Sequence, residues 1–286
     1  MQIKRIDLYE YFGLKRPENG EGYLNVYTKH YCDEYNSDVL YPAMMVIPGG
    51  GYGMRSDREK EPIALAYLTR GFNTFTLDYS VAPVTYPAQL IEGAMAIAYI
   101  KLNYYELRVR PDKVCAVGFS AGGHLCGMLA TLFEEKVVKD ALKDKAHLCR
   151  PDAVVLAYPV ITLGEKTHQG TMDNLTGDDK KLREYLALEN RVTKDSSPAF
   201  IWCTADDAVV PSENSLLMAT AYKKKDVPFE LHIYNKGPHG LSLCVKETVG
   251  RYISEPLVNP HVAKWVEVSD EWLKDLGFEQ TVADKI

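Results

Sequence analysis

The chain has 286 residues, 46% hydrophobic and 25% charged, enough for one large α/β domain or two small ones. A formal net charge of -6 with no basic cluster excludes a nucleic-acid partner, and no apolar run is long enough to span a bilayer. The six cysteines (Cys32, Cys115, Cys126, Cys149, Cys203, Cys244) form no C-x-x-C pair. That pattern predicts no metal and no cofactor, and reads as reduced core thiols in a cytoplasmic protein.

Met1 to Asp7 lacks the apolar core of a signal peptide. Within residues 1–40 one strand candidate stands out, Tyr23 to Tyr27, alternating polar and apolar. Tyr41 to Ile47 is a short apolar run ending at Pro48-Gly49-Gly50-Gly51-Tyr52. Ser56-Asp57-Arg58-Glu59 has capping-box form, but a helix begun there would hold Pro62 in its interior, at about 3 kcal/mol. A start near Glu61, with Pro62 in the first turn, fits better, and Arg70-Gly71 ends that helix.

Phe72 to Tyr79 is the next strand, and Pro87 opens a helix to about Asn103. Val114-Cys115-Ala116-Val117 is a buried-strand run that leads into Gly118-Phe119-Ser120-Ala121-Gly122. This is a G-x-S-x-G elbow, in which a serine on a strained strand-to-helix turn lifts its hydroxyl above the sheet. A side chain at Gly118 or Gly122 would collide with neighbouring backbone. The stretch 134–150 is charged and reads as mobile, and Ala153 to Tyr158 is another buried strand.

Residues 161–197 interrupt the alternation. They are polar, with one helical segment from about Asp178 to Leu188, and read as a small lid. The rhythm resumes with a strand at 199–203, a helix from about Ser212 to Lys224 and a strand at 230–234. The lysines at 223–225 suit a helix C-terminus. The last helix takes Asn259 as N-cap and Pro260 in its first turn, with Val262, Trp265, Ser269, Trp272 and Leu276 along one side and Gly277 as its stop. Strands alternating with helices predict a mostly parallel sheet covered on both faces, in a single domain over 1–286.

A serine hydroxyl needs a base, and the base an orienting acid, supplied in the order Ser, Asp, His by loops after later strands. Thr204-Ala205-Asp206-Asp207 and Gly237-Pro238-His239-Gly240 stand there. His239, in a Gly/Pro turn just past a strand, is the candidate base. His124, four residues into the helix after Ser120, reads as a packing residue, and His30, His147, His168, His232 and His261 have no comparable setting. Two adjacent acids compete; Asp207, before Val210-Pro211, is favoured to face the histidine, with Asp206 turned elsewhere, capping locally. The oxyanion needs backbone N–H donors, assigned to Gly50, Gly51 and Ala121. The glycine run lacks both a following G-K-S/T and G-x-G-x-x-G spacing, which speaks against nucleotide binding.

Together these motifs resemble the α/β-hydrolase fold, in the esterase/lipase branch related to hormone-sensitive lipase. Within that branch the chain is most similar to small bacterial acetyl-xylan and feruloyl esterase-like proteins. The carrying stretches are Pro48 to Tyr52, Ser56 to Ala64, Asp78 to Pro83 with Tyr86-Pro87-Ala88, Gly118 to His124, Ala205-Asp206-Asp207 with Val210-Pro211, and Gly237 to Gly240, over about residues 20–275. The resemblance implies a serine esterase acting through Ser120, His239 and Asp207. The branch usually has histidine before the triple glycine, where this chain has Pro48. Its larger members carry an N-terminal helical cap, for which about forty residues here leave little room. Segment 161–197 would then be the main lid over an open site, which suits small acyl groups on bulky alcohols such as acetylated sugars. A peptidase of the prolyl-oligopeptidase kind shares the triad but needs a large extra domain. A non-catalytic binding protein on the same scaffold is the other alternative. The expected partner is a small-molecule ester, with a homodimer through an edge strand or the C-terminal helix.

Overall fold

The computed structural model describes residues 1–30, 32–35, 38–250 and 257–283. Its elements are β1 (Gln2–Asp7), α1 (Leu8–Phe12), β2 (Tyr23–Thr28), β3 (Val39–Ile47), α2 (Glu61–Leu68), β4 (Asn73–Asp78), α3 (Ala88–Leu102), α4 (Tyr104–Leu107) and β5 (Val109–Phe119). They continue as α5 (Ala121–Thr131), α6 (Lys136–Leu142), β6 (Ala153–Ala157), α7 (Gln169–Thr176), α8 (Lys180–Tyr185), β7 (Ala199–Thr204), α9 (Glu213–Lys224), β8 (Phe229–Tyr234), α10 (Trp265–Asp275) and β9 (Thr281–Val282).

The sheet runs β1-β2-β4-β3-β5-β6-β7-β8, with β9 paired to β3 off that path. β1 and β2 pair antiparallel, and β2 joins β4 antiparallel. From β4 through β8 every pairing is parallel. The central strands are apolar on both sides because helices cover both faces. Alternation sorts their residues: Met45 and Ile47 join the core with Leu90, Ala94, Leu125 and Leu129 of α3 and α5. Met44 and Val46 face the opposite way, against Ile63 and Tyr67 of α2 and Trp265 and Leu273 of α10. Trp265 stacks on Trp202 at 5.0 Å between ring centroids.

Pro62 lies in the first turn of α2, as its fixed φ requires. The N-terminal forty residues depart from expectation by adding β1 and α1 to the one foreseen strand. β1 is a polar edge strand, carrying Lys4, Arg5 and Asp7, so no apolar alternation marked it. Stretch 134–150 is also ordered: α6 and a 3-10 turn over Lys143–Leu148 hang on buried Val138 and Leu142 among charged residues. Segment 161–197 holds two α-helices and a 3-10 turn over Leu188–Asn190 where one helical segment was foreseen, since the polar, glycine-containing run of α7 hides its period. Asn259 does cap the C-terminal helical region, its Oδ1 accepting from Val262 N–H at 3.2 Å. The first turn there is a 3-10 turn over Val262–Lys264, so the α-helix itself starts at Trp265.

Candidate active site

β5 delivers Ser120 into a turn with φ 53° and ψ -118°, a left-handed conformation that costs a non-glycine residue about 1–3 kcal/mol. Close packing enforces it. A Cβ on Gly118 would sit 2.3 Å from Gly122 O, and one on Gly122 would sit 2.3 Å from both Ile47 O and Pro48 O. The helix therefore approaches the strand ends closely enough to hold the serine where the backbone would not otherwise remain.

His239 reaches Ser120 from the loop after β8. Its Nε2 lies 2.9 Å from Ser120 Oγ, and its Nδ1 lies 2.7 Å from Asp207 Oδ2. The Asp207 side chain is fully buried. Its Oδ1 accepts from Val209 N–H at 2.9 Å and Val210 N–H at 3.0 Å, which fixes the carboxylate plane. Of the two adjacent acids it is Asp207 that meets the histidine. Asp206 has its own partner: its Oδ1 accepts from Gly237 N–H at 2.7 Å, and so it tethers the histidine loop instead of capping locally.

Among the described residues no acceptor takes the N–H groups of Gly50, Gly51 or Ala121. Gly49 N–H, by contrast, is committed to Glu59 Oε2 at 2.9 Å. Pro48 O accepts from the buried Tyr79 hydroxyl at 2.7 Å. His124 is a packing residue, as read from its position. It is fully buried, with Nδ1 3.1 Å from Tyr52 Oη and Nε2 3.0 Å from Leu186 O. The carbonyl can only accept, so Nε2 carries the proton and Nδ1 accepts from the tyrosine. Burial pushes its pKa down to about 4, with the Leu186 carbonyl opposing the fall.

Five side chains that build the site had no such role in the sequence reading. Glu59 is buried, and its Oε1 accepts from Tyr158 O–H at 2.7 Å. The Tyr158 oxygen in turn accepts from Ser242 N–H at 2.9 Å, and its ring meets His239 edge to face at 5.1 Å. Burial, and then the Glu59 charge, raise the Tyr158 phenol far above its ordinary pKa, so it stays a donor. Arg58 donates to Gly240 O at 2.9 Å and to Thr248 O. Trp265 Nε1 donates to Ser242 O at 2.9 Å. The fifth is His168, whose Cε1 lies 3.3 Å from where a Cβ on Gly51 would stand. Nearby, Asn174 Nδ2 donates to Gly51 O at 2.9 Å. Among the described residues no three His, Cys, Asp or Glu side chains converge as metal ligands, and no helix is long and apolar enough to cross a membrane.

A serine, a histidine and a buried carboxylate in one hydrogen-bonded line, beside free N–H groups, can carry out acyl transfer. A family model described as BD-FAE matches residues 30–222, well over half the chain. The chain belongs to the BD-FAE family. That match includes Ser120 and Asp207, and His239 lies beyond it. This BD-FAE chain is 34% identical to an acetyl ester-xyloside bifunctional hydrolase from Caldicellulosiruptor lactoaceticus, with a TM-score of 0.81 over 96% of this chain and 97% of that one. It is 38% identical over 220 residues to endo-1,4-beta-xylanase B of Butyrivibrio fibrisolvens, covering 74% of this chain and 34% of the relative. It is 27% identical over 245 residues to an acetylxylan esterase of Xylanibacter ruminicola, covering 82% of this chain and 44% of the relative. The chain therefore spans less than half the length of these two curated relatives. The BD-FAE chain has the α/β-hydrolase fold.

Proposed function

We propose that Ser120, His239 and Asp207 form the catalytic triad, and that the enzyme releases short acyl groups, acetate first, from hydroxyl-rich alcohols such as acetylated xylo-oligosaccharides. The observation that carries the reading is the line from Asp207 Oδ2 through both ring nitrogens of His239 to Ser120 Oγ. Ser120 Oγ attacks the ester carbonyl carbon while His239 Nε2 takes its proton. Asp207 holds the imidazole tautomer and stabilises the imidazolium. The negative oxygen of the tetrahedral intermediate accepts from Gly50, Gly51 and Ala121 N–H. His239 returns the proton to the leaving alcohol, and water then releases the acid by the same steps. Gly49 takes no part, because Glu59 already accepts its N–H.

The substrate class is supported by relatives described as an acetylxylan esterase and an acetyl ester-xyloside hydrolase. Residues 161–197 act as the lid in this reading, supported by the contacts of His168 and Asn174 with Gly51. A cytoplasmic location is supported by five buried cysteines without disulfide partners, Cys115, Cys126, Cys149, Cys203 and Cys244. A homodimer through edge strand β1 or through α10 belongs to the same proposal, and light scattering reads it directly.

The test is chemical. A fluorophosphonate probe is expected to label Ser120 stoichiometrically, and Ser120→Ala to lose both labelling and about 10⁴-fold or more of kcat on p-nitrophenyl acetate. Undiminished turnover in Ser120→Ala overturns the triad. A preference for long acyl chains across an ester panel overturns the substrate class alone.

A further inference from the structure

His168 takes no part in these steps, yet it stands beside the glycine loop. It is the N-cap of α7: Thr171 N–H donates to its Nδ1 at 3.2 Å, and Thr171 Oγ1 lies 2.9 Å from the same nitrogen. A ring nitrogen that accepts from a backbone N–H carries no proton. The ring is therefore neutral, with its hydrogen on Nε2, whichever way the threonine hydroxyl turns. Cε1, which joins the two nitrogens, lies 3.3 Å and Nδ1 3.7 Å from where a Cβ on Gly51 would stand, so the ring borders the glycine loop, with Nε2 on the far side of Cε1 from the capped Thr171. The side chain is half-buried, and among the described residues no acceptor takes that proton. The ring also lies within electrostatic reach of the triad. Burial first, and then the charge on His239, hold its pKa below the ordinary histidine value, with Asp207 acting the other way.

We propose that His168 is a specificity-determining residue whose Nε2–H donates a hydrogen bond to a hydroxyl or ring oxygen of the leaving alcohol. The proposal rests on the triad reading. An acetyl group offers a single acceptor, its carbonyl oxygen, and Gly50, Gly51 and Ala121 take that one. The acceptor left for His168 belongs to the alcohol. A donor locked as neutral suits an uncharged oxygen, as on a partly acylated sugar, better than a carboxylate, which a cation would hold more strongly.

His168→Asn separates this role from the cap. Asparagine is a strong N-cap and can accept from Thr171 N–H, but it has no atom at the Nε2 position. Two acetate esters of similar bulk serve as probes, a monoacetylated xylo-oligosaccharide and cyclohexyl acetate. The variant is expected to lose about 5–10-fold in kcat/KM on the sugar ester, the worth of one neutral hydrogen bond, and less than 2-fold on cyclohexyl acetate. The fluorophosphonate labelling rate of Ser120 is expected to stay unchanged. Equal losses on both esters assign His168 to the acyl side or to the fold and overturn the proposal. No loss on either overturns it, and so does failure of the unaltered protein to hydrolyse the sugar ester. Retained turnover in Ser120→Ala is the separate signature that the triad reading itself has failed.

Discussion

The two walls above Ser120 are held in different ways. The wall carrying His239 is tied down from several directions. Arg58 donates to Gly240 O and Thr248 O, Asp206 accepts from Gly237 N–H, Tyr158 accepts from Ser242 N–H, and Trp265 donates to Ser242 O. The wall formed by 161–197 is rooted at its base, where Asn214 Oδ1 accepts from Ile161 and Thr162 N–H and His124 donates to Leu186 O. At the glycine loop it is held by one neutral amide, Asn174 to Gly51 O. The contrast follows the chemistry. In the proposed mechanism, proton transfer between Ser120 and His239 tolerates little displacement, whereas a wall proposed to meet only the alcohol can yield to different substrates.

The largest effect is expected on the rigid wall, at Asp207→Asn. Oδ1 must still accept from Val209 and Val210 N–H, so the new amide NH₂ is turned toward His239 Nδ1. That forces the proton onto Nε2, which then cannot accept from Ser120. Turnover of p-nitrophenyl acetate is expected to fall about 10⁴-fold with the denaturation midpoint little changed. A loss under 10-fold would show that the line from Asp207 to Ser120 is not the reacting one.

The root of the 161–197 wall is expected to fail next, under acid. His124 is neutral when folded, with a pKa of about 4, and titrates near 6.5 when unfolded. Between those values the unfolded chain binds the extra proton, so the stability it contributes is whole above about pH 6.5 and drains away as pH falls through 4. The loss amounts to about 3 kcal/mol. Urea midpoints measured from pH 7.5 to 4 are expected to fall less steeply in His124→Gln than in the unaltered chain. Parallel curves would remove His124 as the acid-sensitive root.

Glu59→Gln strikes the rigid wall more gently. Both carboxylate oxygens accept, one from Gly49 N–H and one from Tyr158 O–H, so an amide NH₂ must confront a donor on one side. A cost of about 1–3 kcal/mol in stability and about 10-fold to 100-fold in kcat is expected, with KM nearly unchanged. A rise in KM alone would move Glu59 to the substrate side of the comparison.

The sequence made the three side chains of the hydrogen-bonded line legible and left their supports hidden. Ser120 and Asp207 stand just after the buried ends of β5 and β7, and His239 in a Gly/Pro turn after the half-buried edge strand β8, so local pattern and chain order locate them. Even the choice between Asp206 and Asp207 yields to register, because adjacent side chains point apart. Glu59 and Tyr158 lie 99 positions apart, and Arg58 and Thr248 lie 190 apart. No local pattern announces such pairs. Glu59 instead read as one end of a capping box, since Ser56 to Glu59 has that spacing, and its side chain turned out to serve tertiary structure. β1 and α6 escaped for a related reason: each is polar enough that its few apolar anchors set up no period.

The smallest effect is expected at Asn174, which makes the one hydrogen bond from the 161–197 wall to the glycine loop among the described residues. Its amide gives one hydrogen bond to Gly51 O, neutral to neutral, and α7 packs through Met172 and Leu175 without it. Asn174→Ala is expected to cost about 0.5–1.5 kcal/mol, or 2-fold to 10-fold in kcat/KM, with the fluorophosphonate labelling rate held. Gly51 is meant to bind the oxyanion through its N–H while its carbonyl faces the lid. Loosening that carbonyl should therefore affect cyclohexyl and sugar acetates alike. His168→Asn, by contrast, should separate them. If Asn174→Ala instead separates the two esters as His168→Asn does, the amide is setting the alcohol site through α7 and the glycine loop is held by its own turn. If it abolishes labelling, the lid is as integral to the chemistry as the histidine wall, and the distinction between the two walls falls.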